Sequence, residues 1–193
     1  MIAGDRRVLA IESGITRAVQ CLSQRAMGYF VVHVGGHVFG IKKPDATMLG
    51  CSFKAVEQRV QRRGTHLFPL LDDFSARQIA EAYLNANYRD VSRADYFGLL
   101  QQEFVDTLYE RGTVWVPDGD AAFDDGSHIL QFDAVNRVRI IAFVNTDAHE
   151  DVASTIRDIW MDADLFYAIA SGWVTLFEAE RASILKAGRC LTM

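Results

Sequence analysis

The chain has 193 residues, of which 50% are hydrophobic and 23% are charged, and its formal net charge is −5. This composition excludes a disordered segment, and a folded chain of this length buries about 70% of its extended surface. No apolar run reaches the ~20 residues of a membrane span, and the N-terminus lacks the apolar core of a signal peptide. We therefore expect a cytoplasmic protein with no membrane partner, folded as a single domain over residues 1–193.

The first third of the chain predicts strands followed by a helix. A strand is expected over Arg7–Ser13, and a hairpin over Gly28–Ile41. Its turn is Gly35-Gly36, because glycine tolerates the positive φ angles of a two-residue turn. The register that pairs Val34 with His37 sends His33 and His37 to opposite faces, so one metal ion cannot easily bind both. The helix is predicted over Ser52–Arg63, with a solvated basic edge of Lys54, Arg59, Arg62 and Arg63.

The middle of the chain predicts two helices, over Ala76–Tyr88 and Arg93–Arg111. Ser75 and Gln78 have the spacing of a capping box, and Ser92 with Asp95 has a weaker form of it. Gly112 is expected to end the second helix.

The last third predicts a hairpin of Ile129–Phe132 and Arg137–Val144, then a strand over Ile156–Met161. Asp162 is placed to cap a long final helix. Strands at both ends with helices between them are typical of the α+β class. We predict an antiparallel or mixed sheet, built from the N- and C-terminal hairpins and packed with about four helices.

The turn before the second hairpin carries four aspartates. Asp118-Gly-Asp120 begins like a calcium loop, but the next positions lack the oxygen ligands, the glycine and the glutamate that such a loop requires. We interpret these aspartates as acceptors of backbone N–H groups, which fix an irregular loop. No catalytic residue, metal or cofactor is predicted. A small metal-dependent hydrolase centred on Asp118 to His128 stays the alternative, and a regulatory subunit of another complex is a third.

Charge is distributed unevenly along the chain. Residues 1–66 contain ten Lys/Arg and four Asp/Glu, whereas residues 67–193 contain ten Lys/Arg and twenty-one Asp/Glu. The acidic part argues against direct nucleic-acid binding, which needs a basic face, and it suits a cationic protein partner.

Three segments resemble the bacterial immunity-protein family known as immunity protein 42. They are MIAGDRRVLAIES at the N-terminus, MGYFVVHVGGHVFGIKKPDATML from Met27, and WVPDGDAAFDDGSHILQFDAVNRVRIIAF from Trp115. The resemblance implies a cytoplasmic antidote, active in contact-dependent inhibition or a related polymorphic-toxin system, that binds and neutralises one cognate toxin domain. It implies no active site. We expect the toxin to be cationic and of nuclease type, with its active site occluded.

Two sets of residues follow from these interpretations. The first set is assigned to the scaffold: Gly4, Asp5, Gly28, Gly35, Gly36, Gly40, Asp118, Asp120, Asp124 and Asp125. The second set is acidic, lies outside these three segments and is expected to contact the toxin: Asp72, Asp73, Glu81, Asp147, Glu150 and Asp151.

Overall fold

The computed structural model describes residues 1–68, 73–89, 95–115, 120–145 and 152–190. Two antiparallel sheets and five α-helices lie in this part of the chain, which confirms the α+β class. The strands form two sheets rather than one. In chain order the elements are β1 (Ile2–Asp5), β2 (Leu9–Ala18), β3 (Ala26–Val34), β4 (His37–Phe39), β5 (Thr47–Met48), α1 (Leu49–Gln61), α2 (Ala76–Asn87), α3 (Gln101–Glu110), β6 (Ser127–Asp133), β7 (Arg137–Val144), α4 (Val152–Thr155), β8 (Arg157–Asp162) and α5 (Ala163–Cys190).

The first sheet has the order β1-β2-β3-β4, and β5 pairs with the beginning of β3. The β3–β4 hairpin has the predicted register, with Val34 opposite His37 and His33 opposite Val38. Both turn residues have positive φ, 56° for Gly35 and 81° for Gly36. The predicted strand over Arg7–Ser13 is found as β2, which is longer and pairs with an additional strand, β1, at the N-terminus.

The second sheet, β6-β7-β8, is buried on both faces of its β6–β7 hairpin. One face, which includes Ile129 and Ile140, joins the core formed by the first sheet, α1 and α5. The other face, which includes Phe132 and Ile141, joins a second core formed with α2 and α3. A strand buried on both sides requires the nearly continuous apolar sequence that β7 has. The β6–β7 hairpin therefore lies between the two cores and contributes side chains to both.

The ends of the helices follow their capping residues. The capping box of α2 is present: Gln78 N–H donates to Ser75 Oγ at 3.3 Å, and Ser75 N–H donates to Gln78 Oε1 at 3.0 Å. Leu165 N–H donates to Asp162 Oδ1 at 2.9 Å, so Asp162 caps α5 as predicted. No helix in the described ranges combines the length and the apolar character that crossing a membrane requires.

The prediction for α3 was wrong at its N-terminus. The helix begins at Gln101 rather than near Arg93, because Phe97 (φ 58°) and Gly98 (φ 85°) form a tight turn that a helix cannot include. Glu103 then caps the helix by accepting the Leu100 N–H at 3.0 Å. Leu100, at the N-cap of α3, is 66% exposed. Ser92 lies outside the described residues.

Candidate functional site

Asp120 is the buried centre of the aspartate turn. Its carboxylate accepts hydrogen bonds from Thr47 Oγ1 at 2.8 Å, from Ser52 Oγ at 2.9 Å and from the Ala122 N–H at 2.9 Å. The last bond caps a 3₁₀ turn at Ala121–Phe123. A carboxylate that accepts three donors away from water ties this turn to β5 and α1. Its geometry is that of a structural anchor.

The same turn is also attached to the first sheet. Ala122 O accepts the Ile41 N–H at 2.7 Å, and Ser127 Oγ accepts the Gly40 N–H at 3.1 Å. Gly40 has φ 102°, and a Cβ there would lie 2.9 Å from Ala122 O, so the contact requires glycine. The structure thus brings Gly40 and Asp120, which are 80 positions apart, to one location.

The remaining scaffold residues lie at different places. Gly28, in β3, faces the carbonyl of Gly14 on the paired strand, and Gly4 lies against β2 in the β1–β2 pair. Asp5 accepts the Arg7 N–H at 2.9 Å in the turn after β1. Asp125 accepts the Ser127 N–H at 3.0 Å. Asp124 is exposed and has no hydrogen bond within the described part of the chain, and Asp118 lies outside that part.

Ser127 and His128, two described residues of the alternative hydrolase site, do not converge. Ser127 and His128 are neighbours in β6, so their side chains point to opposite faces of the sheet. Ser127 Oγ faces Gly40, whereas the His128 ring packs 5.2 Å from Tyr83 and 5.5 Å from Phe143, measured between ring centroids. Across the described ranges, no three His, Cys, Asp or Glu side chains are grouped as metal ligands. Ser127 and His128 therefore do not form a nucleophile–base pair with each other.

Two of the six acidic residues expected at the toxin interface lie in described segments. Asp73 is exposed two residues before the N-cap of α2. Glu81 is half-buried on α2 and accepts a hydrogen bond from Arg77 Nε at 2.7 Å, an exposed i,i+4 ion pair. Asp72, Asp147, Glu150 and Asp151 fall outside the described residues. Their role in toxin binding stays a prediction.

An acidic stripe on α3 was missed by the sequence interpretation. Glu103, Asp106 and Glu110 are all exposed, and their spacing of three and four residues places them on one face of the helix. The i, i+3, i+7 spacing of these acidic residues is the signal in the sequence that could have identified the stripe. We call these three residues the α3 acidic stripe. It lies on the outer side of the α2–α3 layer, opposite the second core.

Glu12 is a buried carboxylate surrounded by cationic and polar side chains. Lys42 Nζ lies 2.6 Å from it, Arg6 Nη2 2.9 Å and His33 Nε2 2.9 Å, and Tyr29 donates from 3.1 Å. Burial opposes ionisation, but the hydrogen bonds from these partners outweigh it and lower the pKa of Glu12 to about 2. At neutral pH the group is a charged structural centre of the first sheet.

A second buried network lies at the end of β6. Asp133 accepts hydrogen bonds from Tyr167 Oη at 2.9 Å and from Gln131 Nε2 at 3.0 Å, and His66 Nδ1 lies 3.0 Å from its carboxylate. Burial raises the pKa of this carboxyl, but the bond to His66 and its other hydrogen bonds prevail and lower it to about 2. The network joins β6, α5 and the segment after α1.

Arg59 was wrongly predicted on a solvated basic edge. Its side chain is only 5% exposed. Its Nη atoms donate to the carbonyl oxygens of Gly112, at 2.9 Å, and Val114, and Nη1 also donates to Gln131 Oε1 at 3.2 Å. The guanidinium carbon lies 5.0 Å from the ring centroid of Trp115. Sequence reasoning grouped Arg59 with the exposed cations, although it lies three residues after the buried Val56 and so on its face of α1.

The fold places this protein in the α+β class, and a domain with a similar fold has been solved. It is similar to a solved structure described as CdiI from Burkholderia dolosa AUO158, with a TM-score of 0.55 and 12% sequence identity, over 91% of this chain and 99% of that chain. At this identity the likeness concerns the fold alone. No curated protein matches the chain. The family model of immunity protein 42 matches residues 1–176, and the chain belongs to this family.

Proposed function

We propose that this chain is an immunity protein that binds one cognate toxin domain in the cytoplasm and neutralises it without chemistry of its own. The observation that carries the proposal is the family match over residues 1–176. The described structure supports it, because the buried carboxylates of Asp120, Glu12 and Asp133 are hydrogen-bonded to other side chains of the fold and so act as structural groups. We assign the immunity protein and its toxin to a contact-dependent inhibition system.

We further propose that the toxin is cationic and of nuclease type, and that it docks on the acidic side of the chain. Residues 67–193 carry a net charge of −11. The α3 acidic stripe displays part of this charge on the surface, together with Asp73 and Glu81. An acidic surface opposite a basic active-site cleft accelerates association and competes with the polyanionic substrate of a nuclease.

Co-expression tests the immunity role. The chain should rescue a cell from the toxin domain encoded beside its gene and not from unrelated toxin domains, because specificity is a difference of affinities at one surface. Growth and toxin activity are measured with both proteins shown to be folded. Failure to rescue from the neighbouring toxin would refute the proposal.

Charge reversal tests the docking surface. Glu110→Lys should slow association with the toxin about tenfold at low salt, because electrostatic steering raises association rates by one to three orders of magnitude. Asp124→Lys is the matched control: it makes the same charge change at an exposed acidic position outside α3. Stopped-flow or surface-binding kinetics at two salt concentrations give the rates. Equal effects of the two substitutions would place the toxin elsewhere, while leaving the immunity role intact.

A further inference from the structure

The two edges of the second sheet, β6-β7-β8, differ in whether their backbone groups are paired. At the β6 edge, Gln131 N–H donates to Thr113 O at 2.8 Å, and Asp133 N–H donates to His66 O at 2.8 Å. The chain itself therefore covers the β6 edge. At the opposite edge, the described part of the chain makes no backbone bond of this kind to β8.

The outward backbone groups of β8 belong to Asp158 and Trp160. Ala163 N–H donates to Asn136 O at 3.0 Å, and these two residues continue the register of β7 with β8. Hydrogen-bonded and non-hydrogen-bonded pairs alternate along an antiparallel ladder. Ile159 therefore bonds to β7, whereas the N–H and C=O groups of Asp158 and Trp160 point away from it. The strand is described in full, contains no proline and pairs with β7 without a register shift, so none of these devices protects its edge.

The side chains along this edge carry a net charge of +1, from three cations and two anions: Arg137, Arg139, Arg157, Asp158 and Asp162. Arg139 and Asp158 form an ion pair at 2.8 Å, and Asp162 caps α5. Among the described residues, the other two guanidiniums have no carboxylate within ion-pair distance. Arg157 donates to two carbonyl oxygens and an imidazole nitrogen, and the exposed Arg137 lies over the ring of Trp160, 4.6 Å from its centroid. An acidic ligand would compensate both charges.

We propose that β8 is the docking edge for an extended, acidic segment of another protein, which adds an antiparallel strand to the second sheet. The backbone of this segment bonds to the outward groups of Asp158 and Trp160. Its carboxylates lie beside Arg137 and Arg157. The site lies on a different element from the α3 acidic stripe, and the proposal does not depend on the immunity role.

A second copy of this chain fits the edge less well. In a two-fold symmetric antiparallel pair, an axis at Trp160 places Asp158 and Asp162 of the two copies opposite each other, which is repulsive. An axis at Ile159 places Arg157 opposite Met161 and leaves the guanidinium uncompensated. An acidic segment of a different sequence avoids both arrangements.

Hydrogen exchange in the free, ¹⁵N-labelled protein tests whether the edge is open. The amides of Ile159 and Met161, which bond to β7, should have protection factors at least about tenfold higher than those of Asp158 and Trp160, because water reaches an unpaired edge. Equal protection of all four amides would show that the rest of the chain covers the edge, and would overturn the proposal.

The peptide acetyl-Thr-Val-Glu-Val-Thr-Glu-amide is the probe for docking. Paired antiparallel with β8, it sets its valines opposite Ile159 and Met161, and one glutamate opposite Arg157. Its binding should slow exchange at the amides of Asp158 and Trp160 only. N-methylation of its first glutamate and second threonine, whose N–H groups face β8, should abolish binding, whereas N-methylation of both valines should not. Equal losses for the two methylated peptides, or no binding of the parent peptide, would overturn the proposal.

Charge and oligomeric state complete the experiment. The peptide with lysine in place of both glutamates should bind at least about fivefold more weakly, because cross-strand charge pairs then repel. Arg137→Gln should weaken binding of the glutamate peptide, whereas Arg17→Gln, at an exposed position on β2, should not. Equal effects of these two substitutions would contradict the assigned edge. A concentration-dependent dimer that the peptide dissociates, seen by sedimentation, would assign the edge to a second copy and overturn the proposal.

Discussion

Removing the Asp120 carboxylate should destabilise the protein far more than removing any exposed aspartate of the same turn. Asp120→Ala leaves three donors, Thr47 Oγ1, Ser52 Oγ and the Ala122 N–H, without their acceptor. A hydrogen bond to a charged group contributes about 1.5–3 kcal/mol, and a rotating hydroxyl can recover part of it elsewhere. We therefore expect a loss of about 3 kcal/mol in the free energy of unfolding. For a domain of this size that corresponds to a decrease of roughly 6–12 °C in Tm.

Asp124→Ala is the matched control for this prediction. Asp124 lies four residues further along the same turn and is exposed, with no hydrogen bond to the described residues. Surface substitutions of this kind usually change stability by less than about 0.5 kcal/mol. Thermal melts and urea titrations of both variants give the comparison. If Asp120→Ala costs no more than Asp124→Ala, the turn is not anchored by Asp120 and the reasoning fails.

Two further predictions concern pH and backbone contacts. The pKa of Glu12 falls from 4.5 to about 2 on folding, so its contribution of about 3 kcal/mol should be present above about pH 4.5 and be lost as pH falls towards 2. The urea midpoint of Glu12→Gln should therefore fall less steeply with decreasing pH than that of the wild type. Asp133, whose pKa is also lowered, should maintain part of the pH dependence in the variant. Parallel curves for the two proteins would contradict this. Gly28→Ala should cost about 3 kcal/mol, because its Cβ would lie 1.9 Å from Gly14 O. Gly172→Ala, in α5 with no neighbouring atom within 4 Å of the new Cβ, should instead stabilise by about 0.5–1 kcal/mol, and similar urea midpoints for the two variants would refute this.

Features that are fixed by a few adjacent residues could be predicted from the sequence. The Gly35-Gly36 turn determines the register of the whole β3–β4 hairpin, because a two-residue turn leaves one pairing. The capping box of Ser75 and Gln78 fixed the start of α2 in the same way. In each case the information lies within four residues of the feature.

Features that depend on distant partners could not be predicted. Arg59 donates to carbonyl oxygens that are more than 50 residues away along the sequence, and no local sequence pattern indicates them. The same holds for Asp120, whose hydroxyl partners lie in β5 and α1. The start of α3 is different, since Phe97-Gly98 was a visible turn signal that the helical periodicity obscured.

The doubly buried β6–β7 hairpin has a consequence for how the sequence of this protein can change. A substitution in the hairpin alters packing in both cores, since Ile129 and Ile140 serve one core while Phe132 and Ile141 serve the other. The outward positions of α3 contact neither core. Substitutions there alter the surface while costing little stability. If the toxin docks on the α3 acidic stripe as proposed, the contact surface can change with the partner over evolutionary time while the hairpin remains constant.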